Sequence, residues 1–202
     1  MWNLPNILTL LRLAVLPLVL FLIWPGIENP KTCFWASLIY AAGAITDILD
    51  GYYARKHNLV TNFGKFLDPL TDKLYFLVVL VAFMQFTPSR IPGWLFMIAL
   101  TRELAITGLR GIAAAEGVVI AAGEGGKVKT VFASIGMVML LVHYPYILDL
   151  GFVRFTLSFH ILGLWVIGIS ILFSITSAIQ YTHAFVTSLT QPETSVPQQK
   201  NA

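Results

Sequence analysis

An all-α integral membrane fold of about six transmembrane helices is what this sequence predicts, and three observations predict it. Hydrophobic residues make up 57% of the 202-residue chain and charged residues only 11%, at a mean hydropathy of +0.77. A soluble globular domain carries about 25% charged residues. Apolar runs of helix-spanning length recur along the chain, and Pro25, Pro30, Pro88 and Pro92 punctuate the gaps between them.

Runs of about 17–25 apolar residues place the spans near 7–25, 33–54, 66–87, 92–113, 127–147 and 153–182. The last is long enough to tilt or to extend beyond the bilayer. The first begins at Ile7 with no basic segment before it and no small-residue cleavage site after it, so it is expected to be a retained helix. Gly117 to Gly126 form a flexible break. From Thr187 the chain is rich in Gln, Ser, Thr and Pro, which predicts a membrane domain over 1–186 and a disordered tail over 187–202.

Lys and Arg placement sets the orientation. With the N-terminus inside, the inner segments hold Arg55, Lys56, Lys65, Arg110, Lys127, Lys129 and Lys200, and the outer loops only Lys31, Arg90 and Arg154. Both termini are therefore expected in the cytoplasm, with the protein in the cell's inner (plasma) membrane. The single cysteine, Cys33, excludes an internal disulfide and a metal-binding Cys pair. No basic cluster interleaved with aromatics is present, so nucleic acid is not an expected partner. His57, His143, His160 and His183 show no ligand spacing.

Against this apolar background, four of the ten acidic residues fall between Asp47 and Asp72. Carboxylates are costly near hydrocarbon and need a reason. At about 100° per residue, Asp47, Gly51 and Ala54 share one helical stripe, and Asp50 sits about 60° to its side. Gly64, Asp68 and Asp72 form a second stripe at i, i+4 and i+8. If spans two and three fold as a hairpin around the turn Lys56–Phe63, Asp50 matches Asp68 in depth and Asp47 matches Asp72. Oxygen donors at this density suit Mg²⁺ or Mn²⁺. Two such ions about 3.5–4 Å apart serve in-line displacement at phosphorus. Gly51, Ala54 and Gly64 remove bulk where a ligand approaches the backbone. Pro69 is tolerated if the third helix begins close to Gly64 or Asp68. The plainer alternative treats the aspartates as caps or membrane-edge charges, with Asp68 before Pro69 as an N-cap. It leaves four at matched depth unexplained.

The pattern D-x2-D-G-x2-A-R-x8-G-x3-D-x3-D is met at all eight fixed positions: Asp47, Asp50, Gly51, Ala54, Arg55, Gly64, Asp68 and Asp72. In these residues the chain resembles the CDP-alcohol phosphotransferase family. The resemblance implies a six-helix membrane domain, a homodimer, and transfer of a phosphatidyl group from CDP-diacylglycerol to an alcohol with release of CMP. It implies that Asp47, Asp50 and Asp68 hold the metals with Asp72 near them, and that Asp72 is the base for the acceptor hydroxyl. Gly51, Ala54 and Gly64 would border the cytidine, and Arg55 would meet the nucleotide or a neighbouring acid.

The resemblance extends through Asn3–Arg12, Val60–Lys73, Arg102-Glu103, Thr107–Arg110 and Gly126–Thr130, and is strongest to bacterial members whose acceptor is sn-glycerol 3-phosphate. The residues themselves suit an anionic acceptor. Arg102 lies inside span four, Arg110 two turns nearer the cytoplasm, and Lys127 and Lys129 open span five on that side. Arg forks and Lys ammonium groups suit a phosphate monoester. Arg102 has a second reading, a buried pair with Glu103 or a motif aspartate, and Lys129 a second reading as a membrane-edge anchor. Asn6, Thr9 and Arg12 form a polar face on the first helix, suited to the donor's diphosphate or to interfacial anchoring. Rival acceptors are phosphatidylglycerol, inositol phosphate or serine. A divalent-cation carrier is the rival from another class, although no internal repeat supports it.

Overall fold

The computed structural model describes residues 3–56, 61–115, 125–149, 151 and 154–190. In chain order these form α1 (Leu4–Leu22), α2 (Pro30–Lys56), α3 (Asn62–Phe83), α4 (Gly93–Ala115), α5 (Gly125–Val142), β1 (Pro145–Asp149), β2 (Arg154–Ser158) and α6 (Phe159–Thr190).

Local chemistry explains where the helices begin. Asn29 caps α2: its Oδ1 accepts from the amides of Lys31 at 3.0 Å and Thr32 at 3.1 Å, and Pro30 follows with its φ already set for a helix. Thr61 caps α3, its Oγ1 accepting from the Gly64 amide at 3.0 Å. The third helix thus begins at Asn62, close to Gly64, and Asp68 lies inside it rather than at its N-cap. Pro69 lies inside α3, where it has no amide to give the Lys65 carbonyl.

The core is shared by all six helices, α4 contributing Leu95 and Ala99. Leu16, Val19, Ile23, Ala36, Val79, Leu80, Phe83, Met137, Leu140 and Ile167 form its centre. Tyr40 and Tyr75 stack at 4.4 Å, and the Tyr75 hydroxyl donates to the Tyr40 carbonyl at 3.0 Å. Gly43 is glycine because a Cβ there would collide with that hydroxyl. The α5–α6 pair approaches most closely: a Cβ on Gly163 would stand 2.9 Å from the Leu140 amide nitrogen and 3.1 Å from the Gly136 carbonyl. Small residues at such crossings let two backbones meet where apolar burial gives little drive to associate. Helix α4 leans mainly on α6.

The helix count meets the expectation, but its membrane reading is narrower. Among the described residues only Phe159–Thr187 is long and apolar enough to cross a bilayer by length and composition, and Asn6–Leu22 and Val128–Val142 are apolar but shorter. In α3, Asp68, Asp72 and Lys73 interrupt the apolar run. Large apolar side chains nevertheless face outward, among them Trp35, Leu49, Trp94, Met97, Leu104, Trp165 and Leu172, a surface suited to lipid rather than water.

The all-α expectation needs one correction. The fifth helix ends at Val142, short of residue 147, and an antiparallel hairpin follows in which Pro145 pairs Ser158 and Asp149 pairs Arg154. Tyr, Ile, Phe and Thr favour extended backbone, Gly151 turns the chain at φ +80, and Arg154 donates to Asp149 at 2.6 Å. Hydropathy alone had merged these strands into the flanking spans. The last helix runs to Thr190, past the expected boundary at 186. The predicted break over 117–126 lies outside the described residues as far as 124, and the tail does from 191 onward.

Arg90, expected in an outer loop, is 3% exposed. It donates Nη2 to Cys33 Sγ at 3.6 Å and lies 3.9 Å over the Phe86 ring. His143, just beyond α5, sits 4.9 Å from His160. Burial first, then Arg90 and His160, push the His143 imidazole down to about 4.

Candidate active site

The acidic motif occupies the last third of α2 and the first half of α3, and α1 buttresses it from behind. Asn6, Thr9 and Arg12 recur every three residues on α1 and are 3%, 3% and 4% exposed. Each reaches a different part of the motif. Asn6 Nδ2 donates to the Thr61 cap at 3.1 Å, and Thr9 Oγ1 donates to Asp68 Oδ1 at 3.0 Å. Arg12 Nη1 pairs with Asp47 Oδ1, and its Nε donates to the Gly43 carbonyl at 3.1 Å. Interfacial anchoring is therefore not how these residues are used. Their polar atoms are turned into the protein.

This arrangement orients the carboxylates without covering them. Arg12 has 2% of its side chain exposed, whereas its partner Asp47 has 41%, and Asp68 and Asp72 are also exposed. Asp72 lies within electrostatic reach of Asp47, Arg12, Lys73 and Lys129. Packing within the protein already requires a glycine at 64: a Cβ there would stand 2.8 Å from Asn6 Oδ1 and 3.2 Å from Thr61 Oγ1. Its space is occupied by the α1 clasp. Gly51 lies in α2 and is half-buried, and the side chains of Asp50, Ala54, Arg55 and Lys127 lie outside the described set.

The donor chemistry of Asp47, Asp68 and Asp72 is anionic and oxygen-only, which fits a hard divalent cation. Among the described residues no three His, Cys, Asp or Glu side chains gather closely enough to form a cage, and Asp50 is not in that set.

A second polar cluster joins α4, α5 and α6. Arg102 Nη1 donates to Glu103 Oε1 at 3.1 Å and its Nε to the Ser174 carbonyl at 3.1 Å. Lys129 also pairs with Glu103 Oε1. Lys73, beside Asp72, donates to Thr107 Oγ1 at 2.5 Å, and that hydroxyl donates to the Glu103 carbonyl at 2.6 Å. Arg110 lies 5.5 Å over the Tyr181 ring. From the sequence, Glu103 was expected only as a partner for Arg102, and Lys73 and Thr107 had no expected site role. A lone acid next to a lone Arg in the middle of an apolar helix was the available signal.

A helical, lipid-facing bundle that presents carboxylates beside a cluster of cations defines a membrane-associated enzyme built for phosphorylated substrates. The family model for CDP-alcohol phosphatidyltransferases matches residues 2–185, and the chain belongs to that family. The match sets aside the cation-carrier reading. A Bacillus subtilis (strain 168) CDP-diacylglycerol–glycerol-3-phosphate 3-phosphatidyltransferase is 38% identical over 191 residues, covering 90% of this chain and 94% of its own. The Rickettsia bellii protein of the same name is 36% identical over 140 residues, 69% of this chain and 75% of its own. A Streptomyces coelicolor cardiolipin synthase (CMP-forming) is 39% identical over 111 residues, 54% of this chain and 51% of its own.

Proposed function

We propose that this enzyme transfers the phosphatidyl group of CDP-diacylglycerol to sn-glycerol 3-phosphate, giving phosphatidylglycerol phosphate and CMP. The observation that carries the reading is the pairing of the complete eight-residue acidic motif with a cation cluster beside Asp72. The near full-length similarity to the Bacillus protein supports the choice of acceptor.

Asp72 takes the proton from the glycerol 1-hydroxyl. That oxygen forms a bond to the phosphorus bearing diacylglycerol, and the bond from this phosphorus to the bridging oxygen of CMP breaks. Arg102, Arg110, Lys127 and Lys129 receive the acceptor's phosphate, and Asn6, Thr9, Arg12, Gly51, Ala54, Arg55 and Gly64 border the donor. Thr9 and Arg12 do so by fixing Asp68 and Asp47. Asp47, Asp50, Asp68 and Asp72 would hold two Mg²⁺ or Mn²⁺ ions, which neutralise the diphosphate so that CMP departs readily. The six helices span the plasma membrane with both termini and the site on the cytoplasmic side, as the Lys and Arg bias supports. Donor lipid comes laterally from the bilayer, and the protein works as a homodimer.

The Streptomyces similarity favours one second reading, phosphatidylglycerol as acceptor and cardiolipin as product. Purified protein incubated with CDP-diacylglycerol, Mg²⁺ and a panel of alcohols, with products read by mass spectrometry, separates the two. Phosphatidylglycerol phosphate as the main product is expected. Cardiolipin instead, or product only from serine or inositol phosphate, overturns the proposal.

A further inference from the structure

Glu103 is a largely buried acid that the proposed chemistry leaves without a task. It sits at the centre of α4 with 15% of its side chain exposed, flanked by Arg102 at 12% and Lys129 at 16%. One of its two carboxylate oxygens, Oε1, meets cations from two helices, Arg102 of α4 and Lys129 of α5. Its backbone carbonyl accepts from Thr107, which accepts from Lys73 of α3. Lys129 lies within electrostatic reach of Arg102, Asp72 and Lys73, and Arg102 within reach of Arg110.

Like charges gathered in a poorly hydrated site repel one another, and flexible Lys and Arg side chains turn away unless something holds them. One carboxylate between two of them offsets that repulsion and sets their separation. It does so without using up their donors. A guanidinium has five N–H groups and an ammonium three. Arg102 gives one to Glu103 and one to Ser174, and Lys129 gives one to Glu103, so both keep donors for a phosphate. The carbonyl of Lys129 is itself tied to α6 by Ser170 Oγ at 2.9 Å. The ammonium therefore hangs from a backbone that is held independently of Glu103.

We propose that Glu103 is a positioning residue for the acceptor, clamping Arg102 and Lys129 at the separation at which a phosphate monoester meets both. The proposal rests on the reading of Arg102 and Lys129 as the acceptor's phosphate site. Its role is to spare the acceptor the task of assembling its own receptor.

The test is steady-state kinetics of the purified full-length enzyme at saturating CDP-diacylglycerol and Mg²⁺, with sn-glycerol 3-phosphate varied. Glu103→Ala is expected to raise the KM for glycerol 3-phosphate about tenfold, the scale of one charge-assisted contact. Its kcat should stay within about twofold, and the KM for CDP-diacylglycerol should not move. Glu103→Gln keeps an acceptor oxygen without the charge and should recover part of the loss. It also carries the test should the alanine variant not fold. Lys129→Met is the reference. The double variant should be no worse than the poorer single one, because the two residues act as a unit. If Lys129→Met raises the acceptor KM and the Glu103 variants do not, the clamp is wrong and the acceptor site stands. If neither moves it, the acceptor site itself is wrong and the clamp goes with it. Equal losses in kcat and in both KM values would show a merely structural Glu103 and overturn the proposal.

Discussion

Arg12 shows how much of the site depends on a side chain outside the motif. It is buried, shares a charge with Asp47 and holds the Gly43 carbonyl, so it couples α1 to the α2 carboxylate. Arg12→Met keeps much of the apolar stem but removes both contacts. It should cost about 1–3 kcal/mol, read as a lower thermal midpoint in detergent, and should depress CMP release. Unchanged stability and turnover would mean that Asp47 does not need its partner. Asp72→Asn has the opposite profile, since Asp72 is exposed and the change is isosteric. Turnover should be abolished with the thermal midpoint retained, and full activity in that variant would remove the assigned base. EDTA should stop the wild-type reaction and Mg²⁺ or Mn²⁺ restore it; activity that survives exhaustive chelation would contradict the assignment of the aspartates to metal. His143 adds a pH dependence to folding. Its folded-state pKa is pushed down to about 4 from 6.5, mainly by burial and then by Arg90 and His160. Between those values the unfolded chain binds the extra proton, so stability should fall as pH drops from about 6.5 towards 4. His143→Gln should flatten that slope in thermal melts, and an unchanged slope would assign it to other groups.

At the scale of elements, α2 and α3 carry the carboxylates, but they pack mainly on α1 rather than on each other as the expected hairpin would, so α1 and the α5–α6 pair decide how the carboxylates are held. Gly163 and Gly136 let α5 and α6 touch backbone to backbone, and Ser170 of α6 then reaches the Lys129 carbonyl of α5. Gly163→Val would place methyl groups against backbone atoms that cannot rotate aside. It should cost about 1–3 kcal/mol and raise the acceptor KM by shifting Lys129; a variant as stable and as active as wild type would show that α5 and α6 tolerate separation. Helix boundaries were legible where a cap or a proline marks them. The expected span at 92–113 agrees with α4 at Gly93–Ala115, because Pro92 marks its start. The β1–β2 hairpin was not legible, because Tyr146–Leu148 and Phe155–Leu157 are as apolar as the helices beside them. Pro69 misled for a related reason. Its position suggested a helix start, but the helix had already been capped at Thr61.

Across the whole molecule, the apolar surface and the buried polar face of α1 have one cause. Where lipid is the solvent, polar side chains gain by turning inward, so Asn6, Thr9 and Arg12 serve the site rather than the surface. Composition, span count and the eight-residue motif are properties of spacing along one chain, so the sequence by itself determined the helical membrane-protein class, the family and the identity of the acidic residues. What only the tertiary structure decided is which partners those residues meet. Thr9 on Asp68 is 59 positions away and Arg12 on Asp47 is 35 away, while the two cations on Glu103 come from different helices. Such contacts depend on how helices are rotated and set against one another, and no local periodicity encodes that rotation.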